Sequence, residues 1–149
     1  MKKNVIIISV ILLIVIIICV TGISINAKKI SVQKQANKEY EKYLGKDIYG
    51  TDVVTLINNA MYNNQKNSVQ KDENEKYIEN NENSIIIELV MITNEEEEKT
   101  KTYRMETIEK VGISEFIKNF NTAVFKITKM EYHNQTGKIK YIEITQQAR

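Results

Sequence analysis

SIIIELVMI, residues 84–92, is the stretch from which the fold is read. Ile85, Ile87, Leu89 and Met91 alternate with Ile86, Glu88, Val90 and Ile92. A period of two places alternate side chains on opposite faces of a strand. Only Glu88 interrupts the second face, so the strand is expected to be buried on one side and partly on the other. Asn94 to Lys99, with four consecutive glutamates, is too charged for an interior and reads as a turn, and Thr100 to Met105 as the returning strand.

Downstream, Met105, Ile108 and Val111 have helical spacing and end at Gly112. Ser114 is positioned to cap a second short helix with Ile113, Phe116, Ile117 and Phe120 as its buried face. The last segment, TAVFKITKMEYHNQTGKIKYIEITQ, reads as a β-hairpin around His133-Asn134-Gln135-Thr136-Gly137, where Gly137 is free to take a positive φ. Phe125 and Ile127 alternate, then the apolar set moves to Met130 and Tyr132. A change of face within one strand predicts a bulge near Lys129. These elements give an α+β class: a small antiparallel sheet of about four strands with short helices on one face.

Upstream, residues 63–83 are rich in Asn, Glu and Lys, and only Val69, Tyr77 and Ile78 ask for burial. They read as a polar loop with a short strand around Tyr77. Asp72, Glu73, Glu75, Glu79 and Glu82 lack the spacing of a calcium loop. Before the loop, Thr51 is a candidate N-cap and Asp52 a first-turn anion. Val53, Leu56, Ile57, Ala60 and Met61 follow at i, i+3, i+4, i+7 and i+8, one apolar face of an amphipathic helix. That face is the candidate site of the sequence, either a core face or a partner contact.

The chain begins differently. VIIISVILLIVIIICV, residues 5–20, has no charge, and the uncharged run extends through Ala27. About 20 apolar residues in a helix cross the roughly 30 Å hydrocarbon layer. Residues 1–27 therefore read as a single-pass anchor, with residues 4–27 in contact with a lipid bilayer. The run exceeds a signal-peptide core, and neither Val20-Thr21-Gly22 nor Ile25-Asn26-Ala27 is a good cleavage site, so the anchor is expected to remain uncleaved. Lys2 and Lys3 precede it, whereas Lys28, Lys29, Lys34 and Lys38 follow, so the positive-inside count and the short N-terminal tail disagree. Weighting the tail puts the remaining chain outside the cytoplasm. Residues 28–45 read as a juxtamembrane helical stalk closed by Gly45, and residues 46–149 as the α+β head.

Catalytic constellations are sparse. The chain has one histidine and one cysteine; Cys19 lies in the anchor, and His133 in the hairpin turn reads as an exposed loop residue. No zinc spacing or Gly-rich phosphate loop is present, so no catalytic residue, metal ligand or cofactor is assigned. Net charge is +2, which gives no strong pull toward nucleic acid. Phe125, Lys126, Lys129, Tyr132, Lys138, Lys140 and Tyr141 interleave aromatic and cationic groups, as a single-strand nucleic-acid platform does. Strand alternation produces the same pattern, Glu131 and Glu143 dilute the charge, and no nucleic-acid partner is expected.

An apolar N-terminal helix leading into a stalk and a small α+β head resembles the layout of type IV pilin-like proteins. The prepilin motif is absent: Gly22 is followed by Ile23-Ser24-Ile25-Asn26-Ala27 and lies after the apolar run. Tyr49-Gly50-Thr51-Asp52-Val53-Val54-Thr55-Leu56-Ile57-Asn58 resembles segments of single-pass proteins from low-GC Gram-positive bacteria. The expectation is a membrane-anchored, non-enzymatic interaction or structural domain at a bacterial cell surface with a protein partner. The alternative is an extracytoplasmic domain that senses or binds a small molecule, its ligand unassigned. An apolar pocket with converging polar groups distinguishes the second from the first.

Overall fold

The computed structural model describes residues 2–93 and 99–148, so most of the glutamate turn lies outside the described residues. The chain is α+β and divides into two units, one ending at Ala36 and one beginning at Asn37. Helix α1 (Lys2–Glu41), most of which makes up the first unit, is long and apolar enough to cross a membrane. Its side chains from Ile11 to Ile18 are half or more exposed. Thr21 and Ser24 turn their hydroxyls back to the carbonyls of Ile17 and Val20, both at 2.9 Å, which satisfies these donors within the helix.

The second unit is the head. Its elements are β1 (Ile48–Tyr49), α2 (Gly50–Lys66), β2 (Ile86–Ile92), β3 (Thr100–Arg104), α3 (Met105–Val111), α4 (Ile113–Phe120), β4 (Val124–Tyr132) and β5 (Ile139–Gln146). They form a five-stranded sheet in the order β1-β4-β5-β2-β3. All neighbours are antiparallel except β2 and β5, which run parallel. The sheet is thus mixed and one strand larger than expected. β1 is two residues long, too short to leave a periodic signal.

Alternation within SIIIELVMI survives intact. Ile87 pairs with Ile142 and Leu89 with Ile144, all four fully buried on one face, while Glu88 faces Glu143 on the other. The α2 face supplies the opposing layer: Val53, Leu56, Ile57 and Ala60 are fully buried, and Met61 is half-buried against the same core. The β4–β5 register shifts between Ile127 and Lys129, at the expected bulge, and Gly137 turns the hairpin at φ 61°.

Capping differs in detail. α2 starts at Gly50, one residue before the Thr51 cap position, and the Asp52 carboxylate accepts the Tyr49 backbone N–H at 3.0 Å. A Cβ on Gly50 would lie 2.5 Å from the carbonyl oxygen of Phe120, so glycine permits α2 to begin against the end of α4. α4 starts at Ile113, not after Ser114, because Gly112 at φ 106° makes the turn between α3 and α4.

Polar side chains hold what the sheet ladder does not. The fully buried Asn64 donates to the Ile85 carbonyl at 2.7 Å and accepts the Ile85 N–H at 2.8 Å. Asn37 makes the same two-handed contact with the hairpin, donating to Gly137 O at 3.0 Å and accepting from Ile139 N at 3.1 Å. Asn37 and Tyr40 are buried, so the head begins at Asn37 and takes in the distal part of the expected 28–45 stalk. His133 is likewise buried, not exposed as expected of a turn residue; its Nε2 lies 2.8 Å from Ser84 O, tying the hairpin to the start of β2. The polar loop is anchored too: Glu106 accepts the Tyr77 N–H at 2.9 Å, and Arg104 donates to Tyr77 O at 2.8 Å. Lys71 and Tyr77 form the isolated bridge that stands in for the expected short strand. Buried polar groups are stable in a core when each finds its partner, and these do.

Candidate functional site

The four best-buried residues of the α2 apolar face are core, which leaves them unavailable to a partner. The outer face of the sheet carries the aromatic–lysine set. Three of its four lysines are matched locally: Lys129 lies 2.6 Å from Glu131, Lys140 3.3 Å from Glu131 and 3.2 Å from Glu79, and Lys126 3.4 Å from Asp47. Phe125 points the other way, fully buried. Tyr141 donates its hydroxyl to Glu88 at 2.8 Å, and Lys129 sits 5.4 Å from its ring centroid. Partial burial, then the bond to Glu88, pushes the Tyr141 phenol above its ordinary value.

This has a measurable consequence. A raised phenol contributes stability that is fully present below the free value of 10.0 and is lost as pH rises beyond it. The raised lysines at 129 and 140 act in the same direction at still higher pH. Denaturant midpoints of the head are therefore expected to fall above about pH 10, and Tyr141→Phe to make that fall shallower. Equal slopes for the two proteins would remove Tyr141 from the account.

A cavity of about 580 Å³ lies on the helical side of the sheet, where the end of β2 meets β3, α3 and α4. Met91, Ile92 and Thr93 line it from β2 and its continuation, Tyr103 from β3, Thr107, Ile108 and Val111 from α3, and Glu115, Phe116, Asn119 and Phe120 from α4. Its origin is local. Gly112 turns α4 away from α3, and the contact of Gly50 with Phe120 draws the end of α4 to α2. β3 is the sheet edge, and Thr100, Lys101 and Thr102 offer no apolar surface to hold a helix above it. The corner of the sheet is left uncovered, with Val111 64% and Ile92 41% exposed.

The lining combines an apolar body with a few polar groups. Phe116 and Phe120 stack with centroids 5.0 Å apart. Asn119 donates to Glu115 Oε1 at 3.0 Å, and Thr93 and Thr107 complete the polar residues of the lining. A volume of a few hundred Å³ with this mixture suits a small molecule. Sequence reading placed Phe116 and Phe120 in the core and missed that they also line a cavity. Val111 was the available signal, an apolar residue at a helix end beyond what the core could absorb.

Among the described residues, no group of three or more His, Cys, Asp or Glu side chains is placed to hold a metal ion. Compared with known proteins, the chain matches no family model, no curated protein and no solved structure at significant similarity.

Proposed function

We propose that this chain is a single-pass, membrane-anchored, non-enzymatic binding domain at a bacterial cell surface, its head extracytoplasmic, and that the head takes a small, mostly apolar ligand in the α3–α4 cavity. The observation that carries the reading is the cavity itself, whose lining joins aromatic and aliphatic side chains to a few polar ones. Support for the tether is the apolar helix, and support for the orientation is the lysine pair Lys2 and Lys3 that precedes the apolar run. Of the pilin-like layout, only the tethered head enters this proposal.

The test places the full chain in lipid nanodiscs with Ile and Val methyls labelled. Titration with tryptophol, a neutral aromatic alcohol, is expected to shift Ile92, Ile108 and Val111 and to spare Ile48 and Ile142 in the deep core. Val111→Trp, which fills the cavity from an exposed position, should abolish the Ile92 and Ile108 shifts and leave the unfolding midpoint unchanged. Shifts scattered over the whole head, or retained in Val111→Trp, would refute the cavity as a binding site.

A protein partner is the second reading, and one feature favours it. Among the described strands β3 pairs with β2 alone, which leaves it an edge where an extended segment could add as a further strand. Such a partner would slow hydrogen exchange at the amides of Thr100 to Arg104, which a ligand confined to the cavity would not.

A further inference from the structure

We infer that the cavity selects a cation: an apolar or aromatic molecule bearing one protonated or quaternary nitrogen. This rests on the cavity being the binding site proposed above. Among the described residues that line it, Glu115 is the one carboxylate, and none is a lysine or arginine. The same lining holds three aromatic side chains, Phe116 and Phe120 on the helix that carries Glu115 and Tyr103 on β3. A carboxylate next to aromatic faces is the combination that recognises ammonium groups, through charge and through the ring quadrupole.

Glu115 has other duties, and they leave it free to act. It sits in the first turn of α4, where a negative charge is favoured by the helix dipole whether or not a ligand is present. Asn119 occupies only Oε1. Lys118 Nζ is 3.9 Å from Oε2, and the two side chains are 75% and 53% exposed, so this pair is weak and displaceable. Lys101 on β3 lies 6.0 Å from the Tyr103 ring centroid. A ligand cation beside Glu115 would replace a solvated, screened partner with one held against apolar walls, where charges interact more strongly.

Three indole probes of one size separate the contributions: tryptamine as cation, tryptophol as neutral isostere and indole-3-acetate as anion. They are titrated into the full chain in nanodiscs and read at the Ile92, Ile108 and Val111 methyls, with empty discs as the blank. Tryptamine is expected to bind about tenfold more tightly than tryptophol and indole-3-acetate more weakly than either, in line with about 1.4 kcal/mol for a cation beside a carboxylate and rings. Glu115→Gln should bring tryptamine within about twofold of tryptophol while leaving tryptophol unchanged. Lys118→Ala should strengthen tryptamine alone, and added salt should weaken it alone. Equal binding of all three probes, or a cation preference that survives Glu115→Gln, would overturn the inference and leave the cavity reading standing. Absence of methyl shifts with every probe would overturn both.

Discussion

Leu56→Ala is expected to lower the thermal unfolding midpoint of the head by about 10 °C or more, whereas Asn58→Ala two positions away should barely move it. Leu56 has no exposed surface and belongs to the cluster that joins α2 to the sheet. Truncation removes the transfer energy of the missing atoms and leaves a void that close-packed neighbours fill only in part, together about 2–5 kcal/mol. In a domain near 100 residues each kcal/mol displaces the midpoint by about 4–8 °C. Asn58 lies on the exposed side of the same helix. The comparison controls for helix propensity, since Asn→Ala raises it if anything. Near-UV circular dichroism of the full chain in nanodiscs reads the transition. Two equally silent substitutions would mean that α2 is undocked and its apolar face is open to a partner.

What the sequence disclosed and what it concealed divide along a physical line. Ile85 to Ile92 and Val53 to Met61 are regular repeats in which burial of a whole face must follow a period, so the face is legible. The bulge at Lys129 and the turn at Gly137 are equally local, since each is forced by neighbouring residues. Pairing between β2 and β5 is not local. Nothing in Ile86 or Tyr141 states that they will be partners, and an antiparallel hairpin is the short-range default from which the four-stranded expectation came. The cavity is concealed for a related reason. It is what remains when the ends of four elements fail to cover one corner, and a vacancy has no sequence pattern.

The polar brackets form a third class. Asn, Ser and His ordinarily mark loops and surfaces; His133 reads as an exposed turn residue, Asn64 falls in the polar loop and Asn37 in the stalk. Each instead supplies the bonds that a strand would have supplied, to backbone at Ile139, Ile85 and Ser84. The composition that suggested a loose linker is therefore part of what closes the core around it.

Asn64→Ala tests that interpretation and is expected to be as damaging as loss of a core leucine. The Asn64 amide meets both the N–H and the C=O of Ile85, immediately before β2, and none of its surface reaches solvent. An apolar replacement leaves two buried backbone groups without partners at about 1–3 kcal/mol each, against a total stability of about 5–15 kcal/mol. Asn67→Ala is the control, because its amide is exposed and bonds within its own helix to Asn63 O at 2.7 Å. Asn64→Asp sharpens the test, being almost the same shape. Ionised, it accepts from Ile85 N–H but cannot donate to the carbonyl, and the charge is buried; protonated, it can do both. Burial raises such a carboxyl above the unfolded value, so the stability it contributes is present at low pH and lost as pH rises through the folded value. Relative to Asn64, the aspartate variant should lose much more at pH 7 than near pH 4. Unfolding midpoints in denaturant at the two pH values read the difference. If Asn64→Ala matched Asn67→Ala, or Asn64→Asp showed no pH dependence beyond that of the parent, the Ile85 backbone would not depend on the Asn64 amide, and α2 would hold β2 by apolar contact alone.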